Sequence, residues 1–187
     1  MWQIIAPYIT LNTDVAFLQI KQDYINNRPW LIAFYIHVFS SIFALAAGCT
    51  QFSNTIRQGP LHRWIGRSYV FNILLITGPS SLLMAFYANG GLTSRVAFLI
   101  LSILWWGYTY LAYRSALNSD FIAHRRWMLR SFALTLSAIT LRLWKMALAH
   151  YFEWPPMDIY RLVAWLGFVP NLLAIECYLY YRKKKME

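Results

Sequence analysis

The four histidines are the side chains with the most varied possible chemistry in this sequence, because imidazole can ligate metals and transfer protons near neutral pH. A b-type haem with two histidine ligands needs imidazoles from neighbouring helices at one depth. The chain could supply an outer pair, His37 with His150, and an inner pair, His62 with His124. The outer pair is mismatched in depth, since His37 is embedded in an apolar segment and His150 lies at a surface. Haem b is one candidate cofactor, and the histidine spacing alone leaves others open.

Two cations, Arg142 and Lys145, lie inside an apolar segment, where a charge near the bilayer centre costs at least about 3 kcal/mol. Arg142 lies roughly 15 Å, and Lys145 and His37 about 10 Å, from the outer surface by the helical rise. We expect these three to line an outer-half pocket for a carboxylate, phosphate or quinone oxygen. The alternatives are bonds to nearby carbonyls and hydroxyls, and outward snorkelling of Lys145.

A second candidate site lies where two similar blocks open apolar segments, HRWIGRSY from His62 and HRRWMLRSF from His124. Arginine suits haem propionates, a quinone or a lipid phosphate, because its fork donates two hydrogen bonds. The candidates on this predicted cytoplasmic side are His62, His124, Arg63, Arg67 and Arg130. One alternative is that each block is a basic, aromatic interfacial anchor. Another is an ion pair between Arg130 and Glu176, which have similar depths.

Small and polar residues recur at helical spacing on two segments, and we expect both stripes to face the protein interior. The first stripe is His37, Ser41, Ala44, Gly48 and Gln51. The second is His124, Met128, Ser131, Thr135, Ala138, Arg142, Lys145 and Ala149. Plain helix packing explains the small members of both stripes equally well.

No familiar catalytic pattern occurs, neither HExxH, GxSxG, a P-loop nor GxGxxG, so the sequence leaves open whether the protein is an enzyme. Its two cysteines, Cys49 and Cys177, lack CxxC or Cys/His ligand spacing. We expect buried thiols and no metal site.

The amino-acid composition indicates the environment in which these residues lie. Of 187 residues, 59% are hydrophobic and only 13% charged, against about a quarter in soluble domains. The net charge of +10 is gathered in short segments between apolar runs. This favours membrane lipids as partners over nucleic acid, and it leaves a larger membrane complex or a homo-oligomer possible.

The sequence predicts an all-α integral membrane bundle of about five transmembrane helices, each about 20 residues long. The predicted spans are residues 30–52, 68–88, 95–117, 127–152 and 159–181, with helix-disturbing prolines at Pro79 and Pro170. By organisation, residues 1–29 are an interfacial segment, 30–182 the bundle and 183–187 a basic cytoplasmic tail.

Lysine and arginine are distributed unequally between the two sides. One side carries ten, Arg57, Arg63, Arg67, Arg114, Arg125, Arg126, Arg182, Lys183, Lys184 and Lys185, and the other carries four, Lys21, Arg28, Arg95 and Arg161. The positive-inside rule places the first set in the cytoplasm, with the N-terminus outside and the C-terminus inside. We expect a multi-pass protein of the bacterial cytoplasmic membrane.

Five sequence blocks occur in order within residues 14–181. They are His37 with Gln51-Phe52 and Gly59–Arg67, Met84–Gly91, His124–Met128, Leu141–Lys145, and Ala164–Gly167 with Pro170–Leu172. Together they resemble a bacterial family of predicted multi-pass membrane proteins, the domain-of-unknown-function 2306 family. The resemblance implies a membrane fold but no reaction, and this chain is expected to lack an additional helix that members often have before this region. The block at His62 is also similar to the helix start of b-type cytochrome and ferric-reductase membrane domains.

Two functional hypotheses follow. In the first, the intramembrane histidines and arginines bind a redox cofactor or an anionic lipophilic ligand, such as haem b, a quinone or a lipid, with electron transfer as one outcome. In the second, the protein is a non-catalytic accessory or assembly subunit of a larger membrane complex. A haem absorbance band would favour the first hypothesis, and a stoichiometric partner the second.

Overall fold

The computed structural model describes residues 2–51, 53 and 59–184, with side chains from Ala6 onward. The tail predicted at residues 183–187 therefore lies mostly outside the described residues. Within the described part, every regular element is helical. Five of these helices are long and apolar enough to cross a membrane: Arg28–Thr50, Pro60–Phe86, Gly91–Leu117, Phe121–Tyr151 and Pro156–Lys184. The all-α fold with five spans is confirmed.

The helices begin earlier than the apolar stretches that predicted them. The second span starts at Pro60 and the fifth at Pro156, because proline is well suited to the first helical position. The fourth starts at Phe121, where the side chain of Asp120 accepts a hydrogen bond of 2.9 Å from the Ala123 N–H. Basic residues predicted to lie in loops are therefore helical.

The chain forms two compact units, residues 1–84 and 85–187, each described by itself. In the first unit, three short elements precede the first span, α1 (Trp2–Ile9), a 3-10 helix (Ala16–Lys21) and α2 (Gln22–Ile25). They pack on the first span, α3 (Arg28–Thr50), through Phe34, whose ring centroid lies 5.2 Å from that of Tyr8 and 5.9 Å from that of Phe17. The predicted interfacial segment is thus attached to the first span by aromatic contacts.

The second span begins as α4 (Pro60–Phe71), continues through a π-helical stretch (Asn72–Thr77) and ends as α5 (Gly78–Phe86). Pro79 lacks an N–H and its ring crowds the preceding turn, and a π-helical stretch accommodates such a break. The irregularity predicted at Gly78-Pro79 takes this form. Within the stretch, Asn72 Nδ2 donates to the Ser40 carbonyl at 2.9 Å, and Thr77 Oγ1 donates to Ser40 Oγ at 2.8 Å.

The first-span stripe is partly confirmed. Ala44 and Gly48 are buried, whereas His37 and Ser41 are half-buried. The polar contact with the second span comes instead from Ser40, one position away. Buried thiols were also expected, and that prediction is wrong, because Cys49 and Cys177 are both exposed on helix faces.

The second unit contains α6 (Gly91–Leu117), α7 (Phe121–Thr135), α8 (Ser137–Tyr151), α9 (Pro156–Leu166) and α10 (Val169–Lys184). The fourth span is interrupted at Leu136, between α7 and α8, and the fifth at Gly167-Phe168, between α9 and α10. At the first break, Thr135 Oγ1 donates to the Ser131 carbonyl at 3.1 Å, and back-bonding of this kind bends helices. Thr140 Oγ1 donates to the Gly167 carbonyl at the break in the fifth span.

Candidate functional site

The Arg130–Glu176 ion pair predicted from sequence is present. Arg130 on α7 donates from Nη2 to Glu176 Oε2 at 2.7 Å and from Nε to Oε1 at 2.5 Å, a two-pronged geometry that favours strong pairing. The guanidinium also lies 4.7 Å from the ring centroid of Trp127. Because Glu176 bonds to two nitrogens of the Arg130 guanidinium, the pair is best explained as an internal bond between α7 and α10.

One ring nitrogen of His124 forms a hydrogen bond within the protein. Its Nδ1 lies 2.9 Å from the carbonyl oxygen of Ala112 on α6, and a carbonyl can only accept a hydrogen bond. Nδ1 therefore carries the proton, and the Nε2 lone pair is directed elsewhere. This orientation is the one that a metal-ligating imidazole requires, since the second-shell bond fixes the tautomer.

A buried hydroxyl network joins α6 to α7 beyond His124. Thr109 and Ser131 share a hydrogen bond of 2.7 Å, and Trp105 Nε1 donates to Thr135 Oγ1 at 3.0 Å. All four side chains are buried, so the fourth-span stripe does face the interior at Ser131 and Thr135. Beyond the break at Leu136 the stripe no longer follows one buried face, and Lys145 is exposed.

Arg142 bonds within its own helix. Its Nη1 donates to the Ala138 carbonyl, one turn earlier on α8. This is the alternative in which an intramembrane arginine finds a nearby carbonyl.

Lys145 lines an open surface cavity of about 320 Å³ at the junction of α8 and α9, where six of the seven lining residues are exposed. The other lining residues are Ala149, Phe152, Glu153, Trp154, Pro156 and Ile159. The wall is mainly apolar, with the rings of Phe152 and Trp154 packed together at a centroid distance of 4.8 Å. Among the described residues, no ion pair joins Lys145 to Glu153 or to any other acid. The cavity thus holds two opposite charges that do not neutralise each other directly.

Two features near the same end of the unit lie outside the cavity lining. His150 is exposed near the end of α8, with its ring against that of Tyr151 at 5.0 Å. Arg161 on α9 pairs with Asp158 at 2.8 Å and donates to the Gly90 carbonyl at 3.0 Å.

The first unit holds the remaining candidates. His37 on α3 and His62 on α4 are half-buried, whereas Arg63 and Arg67 are exposed. Trp64 lies between the two arginines in sequence and is 69% exposed. The structure therefore leaves both arginines accessible to an interfacial ligand. The predicted pairings of His37 with Arg142 or His150, and of His62 with His124, join residues of different units and stay predictions.

Sequence reasoning gave Asn171 no role in any site. Its Nδ2 lies 3.1 Å from the Ala133 carbonyl, 3.1 Å from Thr140 Oγ1 and 3.4 Å from the Gly167 carbonyl. Gly167 approaches α8 so closely that an added Cβ would lie 3.0 Å from the Leu141 Cβ. Asn171 thus ties the break in the fifth span to both sides of the break in the fourth. The sequence feature that could have indicated this break is Pro170, which directly precedes Asn171.

Within the described residues, no group of three His, Cys, Asp or Glu side chains could hold a metal ion. No curated protein and no solved structure matches the chain. The short likeness to b-type cytochromes and ferric reductases accordingly gains no support. One family of predicted membrane proteins, DUF2306, matches residues 34–179. Since that match covers most of the sequence, the chain belongs to the DUF2306 family and is a multi-pass membrane protein.

Proposed function

We propose that this protein binds a lipophilic molecule with an anionic group from the bilayer, and that Lys145 contacts this group in the α8–α9 cavity. The observation that carries the proposal is the cavity itself, which contains an ammonium group that no described acid neutralises. The other two intramembrane cations of the second unit are engaged within the protein, Arg130 by Glu176 and Arg142 by the Ala138 carbonyl.

The size and lining of the cavity fit a lipophilic ligand. Its volume of about 320 Å³ falls at the lower end of small-molecule sites, which are mostly apolar with a few placed polar groups. Ala149 and Ile159 supply aliphatic wall, and Trp154 supplies an amphipathic ring of the kind enriched at membrane interfaces. Lys145 lies about 9 Å from the end of α8 by the helical rise, within reach of head groups and acyl chains.

A redox cofactor is the second candidate function, because His124 is oriented as a metal-ligating imidazole. If the protein binds haem b, His124 would be one of the residues that hold it, through Nε2, and the haem would supply one-electron transfer. Ala112 would hold the imidazole in the required tautomer through its carbonyl.

The decisive experiment compares what co-purifies with three forms of the full chain. Wild type, Lys145→Gln and Arg95→Gln are purified in a mild detergent and examined by native mass spectrometry and optical spectroscopy. Arg95 is the matched control, since it is an exposed cation on the same predicted side but does not line the cavity. We expect an amphiphile with an anionic group on wild type and Arg95→Gln, with occupancy reduced about tenfold or more in Lys145→Gln, because bonds to charged groups contribute about 1.5–3 kcal/mol.

Equal occupancy in all three forms would refute a role for Lys145. A Soret band that is lost in His124→Ala would support haem b instead. The accessory-subunit alternative predicts neither ligand, but a second polypeptide in fixed stoichiometry with wild type.

A further inference from the structure

We infer that the ligand of the α8–α9 cavity is a phospholipid whose head group carries a primary amine as well as the phosphate. The inference rests on the proposed function above and deepens it, because Glu153 lines the same cavity as Lys145. A ligand with one negative charge would satisfy Lys145 and be repelled by Glu153. A zwitterion would satisfy both.

The absence of a direct bond between the two charged residues is the first argument. Both are exposed within one cavity, yet among described side chains neither forms an ion pair. Asp158, in the first turn of α9, shows the contrast, since it bonds to Arg161 at 2.8 Å. Two complementary charges across the cavity are thus available to a third molecule.

The order of the charges along the membrane normal is the second argument. Lys145 lies within α8, whereas Glu153 follows its last residue, Tyr151, in the connection to α9. Lys145 is therefore deeper by about 9 Å or more, by the helical rise. A phospholipid presents acyl chains deepest, then phosphate, then the head-group amine nearest the water. The two charges of the cavity match the order of the head group, because the lysine cation lies deeper than the glutamate anion.

The aromatic residues distinguish a primary amine from a quaternary one. Quaternary ammonium groups are recognised by cages of aromatic faces. Here Phe152 and Trp154 lie against each other, with centroids 4.8 Å apart and planes tilted by 31°, so this pair of rings does not form a cage around a cation. Glu153 is left as the recognition group, and a carboxylate prefers a partner with N–H donors. A primary ammonium offers three.

The experiment titrates the full chain in detergent with four short-chain probes, scored by native mass spectrometry. The probes are phosphatidylethanolamine, phosphatidylglycerol, phosphatidylcholine and soluble glycerophosphoethanolamine. We expect wild type to bind phosphatidylethanolamine about tenfold more tightly than the other two lipids, and the soluble head group far more weakly. Glu153→Gln should abolish the preference for the amine while retaining lipid binding, whereas Asp158→Asn, an acid outside the cavity, should leave it unchanged.

The outcomes separate the two claims. If phosphatidylglycerol binds as tightly as phosphatidylethanolamine and Lys145→Gln weakens both, the proposed function stands and the amine inference is overturned. If phosphatidylcholine equals phosphatidylethanolamine, or if the preference survives in Glu153→Gln, the amine inference is likewise overturned. Equal affinity for glycerophosphoethanolamine would overturn the assignment to a lipid. If no lipid binds wild type, both claims fail.

Discussion

Removing either partner of the Arg130–Glu176 pair should destabilise the second unit measurably. The two charge-assisted bonds measure 2.5 and 2.7 Å, and the side chains are 19% and 47% exposed. Exposed pairs contribute about 0–1 kcal/mol, whereas breaking a buried pair costs about 3–5 kcal/mol. This half-buried, two-pronged pair lies between those limits, so we expect each single substitution to cost roughly 2–3 kcal/mol.

The assay is a double-mutant cycle. Free energies of unfolding in mixed micelles are measured for wild type, Arg130→Gln, Glu176→Gln and the double variant. The coupling energy should be about 2 kcal/mol, since the second substitution removes a charge that has already lost its partner. Arg126→Gln, an exposed cation on the same helix, should change stability by less than about 0.5 kcal/mol. Additive losses, with coupling below about 0.5 kcal/mol, would show that the pair does not form in the folded protein.

Three further results are expected. A reporter fused after Glu187 should be active only in the cytoplasm, and periplasmic activity would reverse the orientation inferred from the Lys/Arg asymmetry. Trp105→Phe should lower the unfolding free energy by about 1–2 kcal/mol through loss of the bond to Thr135, while Trp106→Phe, at an exposed position, should have a smaller effect. Asn171→Leu should cost roughly 1–3 kcal/mol, because the Ala133 carbonyl and Thr140 Oγ1 lose a donor; an unchanged melting temperature would contradict the bridging role.

Span number and the Arg130–Glu176 pair were predictable because each follows from a strong constraint. Backbone groups in lipid must bond internally, so a long apolar stretch has few alternatives to a helix. An acid and a base embedded at the same depth of the membrane are strongly favoured to form an ion pair. Glu176 and Arg130 were predicted to lie at similar depth on the same side.

The helix breaks and the cavity were less predictable, because weaker and more numerous interactions determine them. Nothing at Leu136 resembles a helix breaker, and the interruption there coincides with back-bonding by Thr135 and with the bond from Thr140 to the Gly167 carbonyl. Asn171 could have bonded to many carbonyls, and only the packing of Gly167 against Leu141 selects its partners. The cavity depends on how the connection at Glu153 and Trp154 folds back beside α8.

Charge placement distinguishes the structural from the functional interpretation of this membrane protein. An accessory subunit needs its intramembrane charges only for cohesion, and Arg130 and Arg142, each bonded inside the second unit, meet that description. Lys145 does not, because cohesion would be better served by a bond to Glu153 or by an apolar side chain at the cavity wall. A cation and an anion arranged around an open volume add little stability, since exposed charges without direct contact interact weakly in water. Under the proposed function they supply a surface for a molecule with matching charges, and the cavity at Lys145 is therefore the place in the second unit where we propose that the ligand binds.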